Sequence, residues 1–113
     1  HYKLSERSRG LVGAAELAAM KPSAYLVNTS RGPLVDTDAL VAALHAGEIA
    51  GAGLDVYDDE PLAPDHPLRK TPHTVLTPHL GYVTEDTYAV FFADAVEDVL
   101  AYLDGAPIRL IEA

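Results

Sequence analysis

Apolar residues along this chain fall into short runs broken by polar, glycine or proline-rich stretches, and the runs alternate in period. Residues 13–21, GAAELAAMK, are alanine-rich and favour a helix, which Pro22 stops. Residues 24–28, AYLVN, read as a buried strand. Asp36 or Thr37 can cap a following helix with Leu40, Val41 and Leu44 on one face, and Gly47 stands where a left-handed C-terminal cap belongs. Residues 51–56, GAGLDV, give a second strand, whose glycines at 51 and 53 imply a close approach by another backbone or a ligand. Four prolines, Pro61, Pro64, Pro67 and Pro72, make residues 57–73 a loop of fixed turns. A third strand, TVLTP, spans residues 74–78, and the strongest helix covers about residues 84–104. Glu85 and Asp86 open that helix, Tyr88, Phe91, Ala95, Val96, Val99 and Leu103 form its stripe, and Gly105 follows.

Strand, helix, strand, long loop, strand and helix in that order predict an α/β chain with a parallel sheet and crossover helices. About three parallel strands leave both faces and both edges needing cover, which favours half of a doubly wound sheet over a complete domain. No internal boundary, repeat or low-complexity tract divides the sequence. It opens on His1 rather than methionine, in what reads as a strand end or loop, so a piece of a longer protein is expected.

Composition narrows the function classes. With 113 residues and 49% hydrophobic, one globular domain is expected, burying roughly 65% of its unfolded surface. Eight Lys and Arg against 17 Asp and Glu give a net charge of −9, which argues against nucleic acid and acidic membrane surfaces as partners. The absence of cysteine removes disulfides, thiolate nucleophiles and Cys-ligated zinc, and suits a reducing compartment. No run approaches the ~18 apolar residues of a membrane span and no targeting segment is evident, so the cytoplasm is the expected location.

Arg31, Glu60 and His79 each follow the end of a short apolar run, in LVNTSRG, GLDVYDDEP and VLTPHLG. If those runs are parallel strands, a cation, a carboxylate and an imidazole share the sheet edge where open α/β folds bind ligands.

MKPSAYLVNTSRGPLVD, AGAGLDVYDDEP and VLTPHLGYVT together resemble the D-isomer-specific 2-hydroxyacid dehydrogenase family, in the second half of its nucleotide-binding domain and the helix that follows. The resemblance covers nearly the whole chain. Arg31 to Asp55 is 24 positions, Asp55 to His79 another 24, and Asp55 to Glu60 five, which match the family's order and spacing. The opening HYKLSERSRGLVG is similar to the family's fourth-strand end and turn, with Lys3 where proline is common. The glycine-rich phosphate loop, the acidic ribose-binding residue and the substrate domain are not among these residues. The resemblance implies a partial Rossmann-like doubly wound sheet, residues 1–113 being the C-terminal part of a dinucleotide-binding domain, from an enzyme that moves a hydride between NAD or NADP and a 2-hydroxy or 2-oxo acid. It leaves the choice between NAD and NADP, and the identity of the acid, open.

Such a reaction needs a group that exchanges the hydroxyl proton near neutral pH, and His79 fits. Alone, a strand-end histidine is more often structural; Arg31 and Glu60 alongside reverse that weighting. Glu60, hydrogen-bonded to the far ring nitrogen, would fix the tautomer and favour imidazolium, whereas Asp58 and Asp59 read as solvated loop. Glutamate here argues against the formate-specific branch, which carries glutamine. Arg31 would grip the substrate carboxylate with two donors and polarise the adjacent carbonyl. Asp55 would accept from the nicotinamide amide or, structurally, cap the loop. By resemblance Thr29, Ser30 and Gly81 would line the nicotinamide pocket, with Ser8 and Lys3 as weaker cofactor contacts.

His66, His73 and His79 with Asp65 match no standard metal spacing, and NTSRG lacks the context of a serine-hydrolase elbow. The aromatics of the last helix read as packing residues. A homo-oligomer is expected, because an unpaired strand edge invites a second copy. The rival readings are a non-catalytic dinucleotide-sensing or scaffold module, and a piece that only oligomerises.

Overall fold

The computed structural model describes residues 2–111, so His1 lies outside the described residues. These fall into two compact units that divide after Leu80. The first carries three strands, β1 (Tyr25–Asn28), β2 (Gly51–Leu54) and β3 (Thr74–Leu76), in the order β1-β2-β3 and all parallel. Register pairs Val27 with Gly53 and Gly53 with Val75, so the three strand ends lie at one edge.

Among its described residues this unit has two α-helices, one before β1 and one in the crossover from β1 to β2. The first, α1 (Ala14–Ala18), is shorter than residues 13–21 predict. Its C-cap is Ala19, and Met20 and Ala24 close turns onto Leu17 and Lys21, because the position before Pro22 disfavours helical backbone. The second, α2 (Thr37–Ala46), starts where Asp36 accepts from the Ala39 amide at 3.0 Å and ends at left-handed Gly47, φ 69°. Leu17, Leu40, Leu44, Leu54 and Leu68 form the centre of the core, with Val41 packed against it.

One expectation is corrected. The run at residues 24–28 is not buried on both faces: Tyr25 and Val27 are about 70% exposed, while Leu26 and Asn28 face inward. Among the described residues the helices of this unit cover a single sheet face, leaving Tyr25, Val27 and Val75 on the other. Of the two β2 glycines, Gly51 is demanded by packing, since a Cβ there would stand 2.7 Å from the His73 carbonyl; at Gly53 it would meet only Val27 at an ordinary 3.8 Å. Within the proline-rich loop a 3₁₀ turn, Pro67–Lys70, buries Leu68.

The second unit is built on α3 (Glu85–Leu103), capped by Thr84, whose hydroxyl accepts from the Thr87 amide. None of its residues is buried; Phe91, Phe92 and Leu103 are all more than half exposed. Tyr88 and Phe92 stack edge-to-face, and Arg109 ties the following segment back to Asp94, Glu97 and Asp98. No helix of the described residues is long and apolar enough to cross a membrane.

Candidate active site

The segments leaving β1, β2 and β3 emerge together because the strands are parallel and in register, and they carry Arg31, Glu60 and His79 respectively.

After β1 the chain is organised by Asn28, which is buried. Its side chain accepts from the Ser30 amide at 3.1 Å and donates to the Arg31 carbonyl at 2.9 Å, closing the Thr29–Ser30 turn. Ser30 in turn joins Tyr2, its hydroxyl meeting both the amide and the carbonyl at 3.1 Å. Lys3, Ser30 and Arg31 therefore border one cleft of about 550 Å³, with Tyr2 and Leu4. Arg31 is exposed, with one guanidinium nitrogen donating to the Ser30 carbonyl at 2.6 Å. Ser8 is almost fully buried, and its hydroxyl is engaged within its own turn, donating to Lys3 and Ser5 carbonyls.

Gly32 follows Arg31 for a steric reason. A Cβ at this position would lie 2.0 Å from the carbonyl carbon of Tyr57, so the Arg31 loop and the loop carrying Glu60 pass backbone against backbone. Only glycine allows that approach.

After β2, Asp55 is 6% exposed; its Oδ1 accepts from the Thr77 hydroxyl at 2.5 Å and the Leu80 amide at 2.7 Å. These two bonds tie the β2 end to the segment that holds His79. Five residues on, Glu60 divides its oxygens: Oε1 accepts from the Tyr57 amide at 3.0 Å, and Oε2 meets His79 Nδ1 at 2.7 Å. The hydrogen bond with His79 and then that with the Tyr57 amide hold the Glu60 carboxyl below the usual glutamate range, with a smaller contribution from the charge of Arg31. Glu60 is accordingly ionised at neutral pH and can only accept, which places the proton of the pair on Nδ1. His79 itself sits in left-handed backbone, φ 58°.

The pair borders a second cleft, of about 480 Å³, walled by Tyr57, Leu62, Leu76 and Pro78 and reached by Arg69. The expected residues thus divide: Lys3, Ser30 and Arg31 at one cleft, Glu60 and His79 at the other, Asp55 bonded to Thr77 and Leu80, Ser8 bonded within its own turn, and Gly81 in the second unit. The sequence reading missed Tyr57 as an organiser of this region. Its signal was an aromatic carrying a hydroxyl at a strand end, three residues before Glu60. Among the described residues no group of three or more His, Asp or Glu is arranged to hold a metal ion.

An arginine at the rim of one cleft and a carboxylate-paired imidazole at the other give this sheet edge groups able to bind an anion and to exchange a proton.

The chain is 49% identical over 102 residues to glyoxylate/hydroxypyruvate reductase B of Klebsiella pneumoniae (strain 342), covering 90% of this chain and 32% of that protein. Its fold superposes on a phosphoglycerate oxidoreductase from Vibrio cholerae O395 with TM-score 0.84 and 39% identity, over 94% of this chain and 34% of that one. On D-lactate dehydrogenase with NAD⁺ from Lactobacillus jensenii the TM-score is 0.79 at 30% identity, over 100% and 38%. The chain spans about a third of the length of the curated relatives it matches. The family model for the D-isomer specific 2-hydroxyacid dehydrogenase NAD binding domain matches residues 1–81, and the chain belongs to that family.

Proposed function

We propose that this chain supplies the nicotinamide and proton-transfer end of an NAD- or NADP-dependent reductase of small 2-oxo acids, working in reverse as a 2-hydroxyacid dehydrogenase. The observation that carries the reading is the 2.7 Å contact between Glu60 Oε2 and His79 Nδ1 at the edge that also bears Arg31. When bound, the nicotinamide supplies or accepts the hydride. The residues of this chain do the rest. Glu60 keeps the Nδ1 proton in place, so His79 Nε2 is the nitrogen that passes a proton to the carbonyl oxygen as it becomes a hydroxyl. Arg31 binds the carboxylate of the acid through paired donors and withdraws electron density from the neighbouring carbonyl. Lys3, Thr29, Ser30, Asp55 and Gly81, with Ser8 behind them, are our candidates for the cofactor side of the site. In oxidation His79 takes the hydroxyl proton back.

Residues 1–113 are read as the C-terminal part of a dinucleotide-binding domain in a two-domain enzyme, acting as a homo-oligomer in the cytoplasm. The match over residues 1–81 and the exposed apolar side chains of α3 support this assignment. The test is oxidation of NADH or NADPH by the gene's full product with a panel of 2-oxo acids that includes glyoxylate and hydroxypyruvate. Turnover with at least one acid is expected, and inactivity with all of them, with both cofactors, would contradict the reading.

A further inference from the structure

We propose that Tyr57 is a positioning residue that sets the Glu60–His79 pair, holding one partner with its amide and the segment of the other with its hydroxyl. The inference rests on the reading of that pair as the proton-transfer group.

The hydroxyl shares its one proton between two carbonyls, Leu54 at 3.1 Å and Thr77 at 2.9 Å. Leu54 ends β2, and its carbonyl also accepts from the Thr77 amide at 2.9 Å. Thr77 stands two residues before His79. The Tyr57 hydroxyl is thus a strut between the end of β2 and the chain that delivers the imidazole. On the other side the Tyr57 amide takes Glu60 Oε1, so Oε2 is the oxygen left to meet Nδ1.

Packing alone does not call for the hydroxyl. Tyr57 belongs to the core cluster and is 8% exposed, where a phenyl ring would bury the same apolar surface. Burying a hydroxyl is costly unless it is hydrogen-bonded, and here both acceptors belong to the segments that frame the site. The residue cannot drift, because Gly32 packs directly against its carbonyl. One residue thereby touches the Arg31 loop and the Glu60 side chain through its backbone, and the His79 segment through its hydroxyl.

Tyr57→Phe removes the hydroxyl and keeps the ring and the amide. In the gene's full product, labelled with ¹³C at glutamate carboxyls, the Glu60 titration is followed by NMR in wild type, Tyr57→Phe and His79→Gln. In Tyr57→Phe the Glu60 midpoint is expected to rise toward the usual glutamate range by roughly half a pH unit. In the same protein kcat for 2-oxo acid reduction is expected to fall about 3–10-fold, with KM for the reduced cofactor within about twofold. A 4-aminophenylalanine at position 57, which restores a donor, should recover the low midpoint. If Tyr57→Phe leaves Glu60 where it is in wild type while His79→Gln raises it, the pair stands and the role of Tyr57 is overturned. If His79→Gln also leaves Glu60 unmoved, the pair itself fails and the proposal fails with it. Loss of the whole fold in Tyr57→Phe would equally overturn it, by making the hydroxyl a requirement of the unit rather than of the pair.

Discussion

Glu60 spends its two oxygens on different partners, the Tyr57 amide and His79 Nδ1, and both lower its affinity for protons. A carboxyl held below its unfolded value adds stability at neutral pH, and that contribution disappears as pH falls below the usual glutamate range through the folded value. His79→Ala removes the larger cause, so the Glu60 midpoint should rise, and acid unfolding should begin at a higher pH than in wild type. A ¹³C titration with a parallel pH melt reads both. Glu60→Gln replaces the carboxylate that accepts from Nδ1 with a neutral amide and weakens the hold on the ring, so kcat for reduction should fall. An unchanged kcat, with chemistry rate-limiting, would remove Glu60 from its role. Arg31→Lys should lower kcat and raise KM for the acid together, since an ammonium loses the paired donors. Arg31, Glu60 and His79 were legible as single letters at strand ends. Asn28 and Tyr57 were not read as organisers because their work is done by local hydrogen bonds, which leave no periodicity in a sequence.

The elements that carry these residues are held by a few backbone requirements. At Gly32 a methyl group would sit 2.0 Å from the Tyr57 carbonyl carbon, a clash with backbone that no rotamer relieves. Gly32→Ala should therefore push the Arg31 loop away from the Glu60 loop. We expect a loss of about 2–4 kcal/mol in stability, at the upper end of single substitutions, measured by urea unfolding, and a larger loss in activity than in cofactor binding. Asp36→Ala, which deletes only the cap of α2, should cost about 1 kcal/mol and leave activity unchanged. The two differ because one capping bond is local, whereas Gly32 is a meeting point of two loops. Strand positions, the Asp36 cap, the Gly47 stop and the span of α3 followed directly from residue pattern. The shortened α1 and the one-sided burial of β1 did not: turn closure before Pro22 ended the helix early, and a run that is apolar at every position does not say which of its faces is covered.

At the scale of the whole molecule the first unit carries Arg31, Glu60 and His79, and the second carries α3, a 19-residue helix whose large apolar side chains are exposed. The order of motifs along the chain, rather than any one of them, made the family legible, and the match over residues 1–81 bears it out. The proposed reaction requires His79 to carry the proton of a nicotinamide-dependent reduction. The direct measurement is kcat for 2-oxo acid reduction by wild type and His79→Gln in the gene's full product, with cofactor affinity measured alongside by fluorescence titration. A fall in kcat of about 10²–10⁴ with cofactor affinity changed less than about threefold is the predicted result. A kcat within about threefold of wild type would contradict it.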